Sequence, residues 1–143
     1  MLSEAVAAAL KVRPADPIKF IAEQLTAPVT PLEYLARIGY TEEAAKALIA
    51  RQPSEVDLAE LLQNNLVAVP FENLGQHEHP ASAAGVAAVE AAMPTNDLNT
   101  SLAKIIKARR GGFCLEITPC FAWLLRKLGY KVRIADSQVM TPG

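Results

Sequence analysis

The sequence of 143 residues contains only two cysteines and carries no excess of charge of either sign. Its 14 basic and 15 acidic side chains nearly cancel, so it lacks the positive surface that binding to a phosphate backbone requires. Two cysteines are too few for the disulfide framework of a secreted domain, and the spacing of Cys114 and Cys120 fits no usual zinc site. We therefore expect reduced thiols, no metal site and no nucleic-acid partner.

Long apolar runs are also missing. Residues 117–125, the longest such stretch near the C-terminus, are far fewer than the roughly 20 residues that cross a bilayer. The apolar run at residues 5–10 follows an acidic residue and ends at Lys11 and Arg13, which is unlike a signal peptide. These absences favour a cytoplasmic protein without a membrane partner, and the length is sufficient for one domain with its own core.

Helix caps are the clearest local signals in the middle of the chain. Three N-cap residues predict helices that begin directly after them: Thr30, Thr41 and Ser54. The first helix has a full capping-box pattern with Pro31 and Glu33, and Gly39 ends it. The second should run through Ala50, and Pro70 should end the third. In the third helix we expect four leucines to face the core: Leu58, Leu61, Leu62 and Leu66.

Residues 96–143 have the order helix, glycine pair with cysteine, helix, strand. An apolar stripe over residues 98–106 predicts a helix that Gly111 and Gly112 end. A second helix includes the apolar segment 121–128 and stops at Gly129. Apolar and basic residues then alternate, which predicts a half-buried strand over residues 130–139. The expected fold class is therefore α+β and mostly helical.

Residues 1–28 have the pattern of a helical hairpin. A break at Arg13 and Pro14 separates two short helices, and Asp16 with Pro17 forms the start of the second. Their apolar stripes must be buried, either against the rest of the domain or in self-association or docking, and the spacing leaves both alternatives open. The segment from about residue 80 to residue 95, by contrast, is rich in alanine. Its composition predicts an exposed loop or an alanine helix that takes no part in catalysis or binding.

The two cysteines differ in their surroundings. Cys120 lies in an apolar run, where a cysteine usually packs in the core. Cys114 follows two glycines, which permit a close backbone approach, and precedes a helix whose dipole favours a thiolate. Pro119 leaves two alternatives open. It either lies inside that helix, at a cost of about 3 kcal/mol, or it starts a later helix capped by Thr118, with Cys114 on an extended segment.

Three blocks of sequence resemble the arylamine N-acetyltransferases. Residues 109–116, with the sequence RRGGFCLE, and residues 121–130, with the sequence FAWLLRKLGY, are similar to the active-site segment of that family. Residues 69–74, with the sequence VPFENL, together with His77, are similar to a second signature. Residues 34–40, with the sequence YLARIGY, are similar to its opening segment. The blocks occur in the family's order, the resemblance spans about residues 31–139, and residues 80–95 would be an insertion.

The resemblance implies a fold, an activity and a set of site residues. Residues 29–143 would form the helical N-terminal region of a cysteine-protease-like fold plus the first strand of its β-domain. Cys114 would be the nucleophile of a ping-pong acyltransferase that moves an acetyl group from acetyl-CoA, its donor substrate, to an arylamine or hydrazine without a bound cofactor. The residues expected beside it are Arg110, Gly111, Gly112, Phe113, Glu116, Phe71 and Glu72. Arg110 and Glu72 would form a charge pair, although two solvated surface charges are the alternative.

The chain departs from the family in its catalytic partners. Family members place the activating histidine and its aspartate after the cysteine, and no histidine follows Cys114. We therefore expect a truncated member that is weakly active or inactive.

Residues 13–25 also resemble the Dpy-30 or RIIa-type dimerisation motif, which implies a homodimer or a helical partner bound through residues 1–28. The alternative function is a non-catalytic dimerisation or docking protein that carries a relic acyltransferase segment.

Overall fold

The computed structural model describes residues 28–72 and 96–135, together with positions 6, 7, 10, 11 and 17. Its helices in the two continuous ranges are α1 (Pro31–Arg37), α2 (Glu42–Ala50), α3 (Glu55–Ala68), α4 (Leu98–Leu102), which continues as a π-helical segment (Ala103–Lys107), and α5 (Cys114–Lys127). None of these helices is long and apolar enough to cross a membrane. The predicted hairpin over residues 1–28, apart from the positions named, and the alanine-rich segment over residues 80–95 lie outside the described residues.

The three predicted N-caps are confirmed. Thr30 forms both halves of its capping box: its hydroxyl accepts from the Glu33 amide at 3.2 Å, and its amide donates to the Glu33 carboxylate at 2.7 Å. The hydroxyls of Thr41 and Ser54 accept in the same way from amides three residues later. Gly39 ends α1 in the left-handed region, at φ 98°, as its position after the apolar repeat predicts.

The core lies where α1, α3 and the π-helical segment meet α5. Its completely buried apolar side chains come from all four of these elements: Tyr34, Leu35, Leu61, Ile105, Cys120 and Leu124. The Tyr34 ring stacks on Trp123 with centroids 6.3 Å apart. Full burial of each large apolar side chain stabilises the fold by about 1.5–3 kcal/mol. The predicted core position of Cys120 is confirmed, and burial raises the pKa of its thiol to about 12, with the negative charge of Glu116 adding to the effect.

The prediction that four leucines of α3 face the core is wrong for two of them. Leu61 is buried and Leu58 packs against the core, but Leu62 is 45% exposed and Leu66 is 67% exposed. The helix is rotated so that two polar residues share the buried face with Leu61: Asp57 and Asn65. A polar group can occupy such a position when it has hydrogen-bond partners, which the apolar pattern of a sequence does not reveal.

Each buried polar residue of α3 has such partners. Asn65 accepts a hydrogen bond from the Tyr34 hydroxyl at 3.0 Å, and burial raises the pKa of Tyr34 well above its ordinary range. The Asp57 carboxylate accepts from the Ser54 hydroxyl at 2.7 Å and pairs with Arg51. Partnered in this way, Asp57 and Asn65 fix the rotation of α3 at little cost in desolvation.

The strand predicted over residues 130–139 is absent from residues 130–135, and the remainder lies outside the described residues. A strand is stabilised by ladder hydrogen bonds to a neighbour, and the described residues contain no strand that could pair with this segment. The segment instead packs back on the helices. The Tyr130 hydroxyl donates to the Ser54 carbonyl at 2.8 Å, and Arg126 donates to the Val132 carbonyl at 3.1 Å. The mostly helical character is thus confirmed, whereas the cysteine-protease-like fold stays a prediction.

The hydrogen bond between Tyr34 and Asn65 generates a test of the core. We expect Tyr34→Phe to lower the free energy of unfolding by about 1–3 kcal/mol, because it leaves a buried carbonyl oxygen without a donor. Urea denaturation of the full chain followed by circular dichroism measures this change. The double variant Tyr34→Phe/Asn65→Leu removes both polar partners and should recover most of the loss. A double variant that is less stable than Tyr34→Phe would contradict this account.

Candidate active site

Cys114 is the first residue of α5, and its side chain is exposed. The Phe113 carbonyl accepts from the amides of Glu116 and Ile117 at 3.0 and 2.8 Å, which places the start of the helix at the cysteine. Amides in the first turn of a helix have no partner within the helix, and they carry the positive end of its dipole. The exposed thiol therefore lies where a helix favours negative charge.

Pro119 lies inside α5, so the alternative in which Thr118 caps a later helix is wrong. The proline has no N–H to donate to the Leu115 carbonyl, which removes one bond of the helical ladder. The helix continues nonetheless because the residues after the proline are held in the core. Cys120 and Leu124 are completely buried, and their burial offsets a cost of about 3 kcal/mol.

The two glycines before Phe113 permit two close approaches. Residues 70–72 run beside them: the Gly112 amide donates to the Pro70 carbonyl at 3.3 Å, and the Glu72 amide donates to the Gly112 carbonyl at 3.1 Å. A Cβ atom on Gly111 would lie 2.0 Å from the Pro70 carbonyl oxygen, and one on Gly112 would lie 2.7 Å from a carboxylate oxygen of Glu116. The close approach expected of this pair is thus present.

The prediction that Gly111 and Gly112 end the preceding helix is wrong. The π-helical segment stops at Lys107, and the chain turns at Arg109, which adopts a left-handed conformation with φ 54°. Arg37 stabilises this turn from α1: its guanidinium donates to the carbonyls of Ile105 and Arg109 at 3.2 and 3.4 Å. Burial, together with the charge of Arg109, lowers the pKa of Arg37. The only sequence signal for Arg37 was its place in the block at residues 34–40.

Arg110 and Glu72 form the charge pair that the motifs implied. The guanidinium Nε and Nη2 atoms donate to the two carboxylate oxygens at 3.1 and 3.4 Å, and the Gly111 amide donates to the same carboxylate at 3.3 Å. The Glu72 side chain is only 12% exposed. The alternative of two solvated surface charges is therefore wrong, because the two side chains bind each other. Their ion pair connects residues 70–72 to the segment that leads into Cys114.

Phe113, the residue before Cys114, forms an aromatic pair with Phe71. The rings of Phe71 and Phe113 pack edge to face, with centroids 5.8 Å apart and planes at 70°. Phe71 remains 69% exposed, although it is a large apolar side chain. The surface next to Cys114 thus offers aromatic area on which a flat, apolar ligand could pack.

The start of α5, residues 70–72 and the π-helical segment meet at one corner of the fold. There the Glu116 carboxylate is almost completely buried. The carboxylate accepts from Lys104 Nζ at 3.0 and 3.1 Å and from the Phe113 amide at 3.1 Å. The motif indicated Glu116, but no sequence pattern indicated Lys104, because the two residues are brought together only when the π-helical segment packs beside α5.

All eight site residues predicted from the sequence are therefore gathered around the start of α5 and the neighbouring segment of residues 70–72. A histidine is not among them, since His77 and His79 lie outside the described residues. Within the described ranges, no group of three or more histidine, cysteine, aspartate or glutamate residues is placed to hold a metal ion. The chemistry that the described geometry can offer is that of an exposed thiol at a helix N-terminus.

The close approach at Gly111 predicts a specific intolerance. We expect Gly111→Ala to lower the free energy of unfolding by about 2–3 kcal/mol, because the added Cβ would overlap the Pro70 carbonyl oxygen. Gly39→Ala is the matched control: its Cβ meets no atom within 4 Å, so only the left-handed backbone is strained, at about 1 kcal/mol. Urea denaturation of both variants gives the comparison. A smaller loss for Gly111→Ala than for Gly39→Ala would contradict the packing argument.

The two cysteines should differ sharply toward an alkylating reagent. In the folded chain at about pH 9, iodoacetamide should modify Cys114 and spare Cys120, because Cys120 is buried and its pKa is raised from 9.0 to about 12. In the unfolded chain Cys120 ionises nearer its ordinary value, so denaturant should make both thiols reactive. Peptide mapping by mass spectrometry measures each site. Equal modification of both cysteines in the folded chain would contradict this assignment.

Comparison with known proteins identifies the relatives of this chain. A family model described as N-acetyltransferase matches residues 56–143. The arylamine N-acetyltransferase pineal gland isozyme NAT-3 of Gallus gallus is 34% identical over 110 residues, which cover 77% of this chain and 32% of that protein. Arylamine N-acetyltransferase 1 of Rattus norvegicus is 32% identical over 110 residues, covering 76% of this chain and 32% of that protein. No solved structure gives a significant match.

The chain spans about a third of the length of the curated relatives that it matches. The family model covers more than half of the chain, and the identity to the chicken protein extends over about three quarters of it. The resemblance inferred from the three sequence blocks is thereby confirmed. On these matches, the chain belongs to the N-acetyltransferase family that includes the arylamine N-acetyltransferases.

Proposed function

We propose that residues 29–143 form the acyl-accepting part of an arylamine N-acetyltransferase, with Cys114 as its nucleophile. The observation that carries the proposal is the exposed thiol at the first position of α5. The contacts of Gly111 and Gly112 fix the backbone segment that leads into that helix. The family gives the chemistry that such a cysteine would perform, which is acyl transfer.

The first half-reaction loads the cysteine. The Cys114 thiolate attacks the carbonyl carbon of acetyl-CoA, and a carbon–sulfur bond forms. The bond from that carbon to the CoA sulfur breaks, and CoA leaves as a thiolate that takes up a proton. The product is an acetyl thioester on Cys114. The helix dipole supports this step, since it favours the negative charge of the attacking sulfur.

The negative charge that develops on the carbonyl oxygen during the attack also needs hydrogen-bond donors. The backbone N–H of Cys114 belongs to the first turn of α5, where the helix supplies no acceptor. We assign this amide as one donor to the oxyanion. The arrangement thus uses one helix end for both the nucleophile and its transition state.

The second half-reaction passes the acetyl group to the nitrogen of an arylamine or hydrazine. The nitrogen attacks the thioester carbonyl, the carbon–sulfur bond breaks, and the nitrogen loses a proton as the amide forms. The exposed Phe71 ring and its partner Phe113 support an aromatic acceptor, since a flat ring can pack on them beside the thiol.

A general base is the part of the family mechanism that these residues do not supply. In the family a histidine takes the thiol proton, and the sequence after Cys114 contains no histidine. For this chain we therefore assign thioester formation to attack by Cys114 without a histidine base from the residues that follow it, and we expect this step to be slow.

Acetylation of the intact chain tests the proposal. After incubation with acetyl-CoA, intact mass spectrometry should show the addition of one acetyl group, and peptide mapping should place it on Cys114. Cys114→Ala should abolish the adduct. Cys120→Ala should retain it, because Cys120 lies in the core. Addition of an arylamine to the loaded protein should release the acetyl group as an amide.

The result that would overturn the proposal is equally direct. An adduct that is absent from the wild-type chain, or that persists in Cys114→Ala, would remove Cys114 from the role of nucleophile.

A further inference from the structure

We infer that Lys104 and Glu116 are positioning residues for the Cys114 nucleophile: their ion pair holds the first turn of α5, and with it the thiol at the start of that helix. The inference rests on the proposed function and concerns what sets the reactivity of its nucleophile. It adds a residue that the sequence motifs do not contain, Lys104.

The Glu116 carboxylate makes its contacts inside the protein. The side chain is 1% exposed, and both oxygens lie within 3.1 Å of Lys104 Nζ. One of these oxygens also accepts from the Phe113 amide at 3.1 Å. A buried carboxylate is strongly destabilising when its charge is unpaired, so the contact with Lys104 offsets the cost of burying Glu116.

The hydrogen bond from Phe113 to Glu116 is half of a capping box. In the full motif, the N-cap side chain accepts from the third amide of the helix, and the third side chain accepts from the N-cap amide. Phe113 has no side-chain acceptor, so only the half that Glu116 provides is formed. The side-chain cap at the start of α5, one residue before Cys114, is therefore supplied by Glu116.

Lys104 is itself tied to the segment that precedes the cysteine. Its backbone carbonyl accepts from the Arg110 amide at 3.1 Å, while its side chain reaches Glu116. One residue thus contacts the chain on both sides of the glycine pair. The π-helical segment that carries Lys104 is of a kind frequently found at functional sites.

The charges of the pair lie at the start of the helix that carries the thiol. Glu116 is two residues after Cys114 on the same helix, and Lys104 approaches from the neighbouring segment. The other charged groups on the segments packed at this corner are Arg110, Glu72, Arg109, Arg37 and Lys107, and all five stay unchanged in the variants below. Removing one member of the pair leaves the other as an uncompensated charge near the first turn. The remaining charge is negative when Lys104 is replaced and positive when Glu116 is replaced.

The experiment uses the full chain with three variants and a control. The variants are Lys104→Gln, Glu116→Gln and the double variant, in which two amides can form a neutral hydrogen-bonded pair. The control is Lys46→Gln, which breaks the exposed pair of Lys46 and Glu42 on α2. For each protein, the rate of Cys114 alkylation by iodoacetamide is measured against pH, together with the rate of acetylation by acetyl-CoA.

We expect the midpoint of the alkylation profile to move in opposite directions in the two single variants. Lys104→Gln leaves a negative charge and should raise the midpoint, while Glu116→Gln leaves a positive charge and should lower it, each by about 0.5 pH unit. Acetylation should fall about tenfold in each, since the first turn of α5 loses its fixed geometry. The double variant should recover both quantities, and Lys46→Gln should change neither.

A pair with a purely structural role would lower stability without moving the pH profile. Single variants that keep the wild-type midpoint and acetylation rate would therefore overturn the inference. Lys104→Gln changes a side chain that is 22% exposed, so this variant remains informative if Glu116→Gln does not fold. Alkylation requires no acyl chemistry. Shifted midpoints without an acetyl adduct would support the positioning role and refute the proposed function, whereas an adduct with unshifted midpoints would do the reverse.

Discussion

The buried carboxylate of Glu116 is the interaction on which this corner of the protein depends. It caps α5 through the Phe113 amide and binds Lys104 of the π-helical segment. Its charge also adds to the effect of burial, which raises the pKa of Cys120 in the core. Its position also explains Gly112, because any side chain there would occupy the space of the carboxylate. The helix cap and the glycine at position 112 are therefore both tied to one desolvated carboxylate and to the lysine that pairs with it.

A second set of polar contacts orients the rest of the helical core. Asn65 and Asp57 lie on the inner face of α3, where Tyr34, Ser54 and Arg51 supply their partners. The same contacts leave Leu62 and Leu66 exposed. In both places a buried polar group with specific partners, rather than the amount of apolar surface, decides which way a helix faces.

The sequence predicted those features whose hydrogen bonds are local. Thr30, Thr41 and Ser54 cap their helices by bonding three residues ahead, so the residue types alone reveal them. The candidate site was found from its motifs. Contacts between distant residues left no such pattern: the ion pair of Lys104 with Glu116 and the rotation of α3 arise only when the helices pack. Pro119 shows the limit most clearly: its local cost was known from the sequence, but whether the packing of the surrounding helix would offset that cost was not.

The glycine pair has a consequence for how sequences of this kind are recognised. The Pro70 carbonyl oxygen occupies the space that a side chain would need at Gly111, and the Glu116 carboxylate occupies that space at Gly112. Neither restriction involves the thiol. Selection for a stable fold would therefore preserve both glycines in a descendant that had lost its catalytic base or the cysteine itself. A motif search that finds them identifies this corner of the fold, and chemical reactivity of the cysteine is what separates a working transferase from a protein that has kept only its shape.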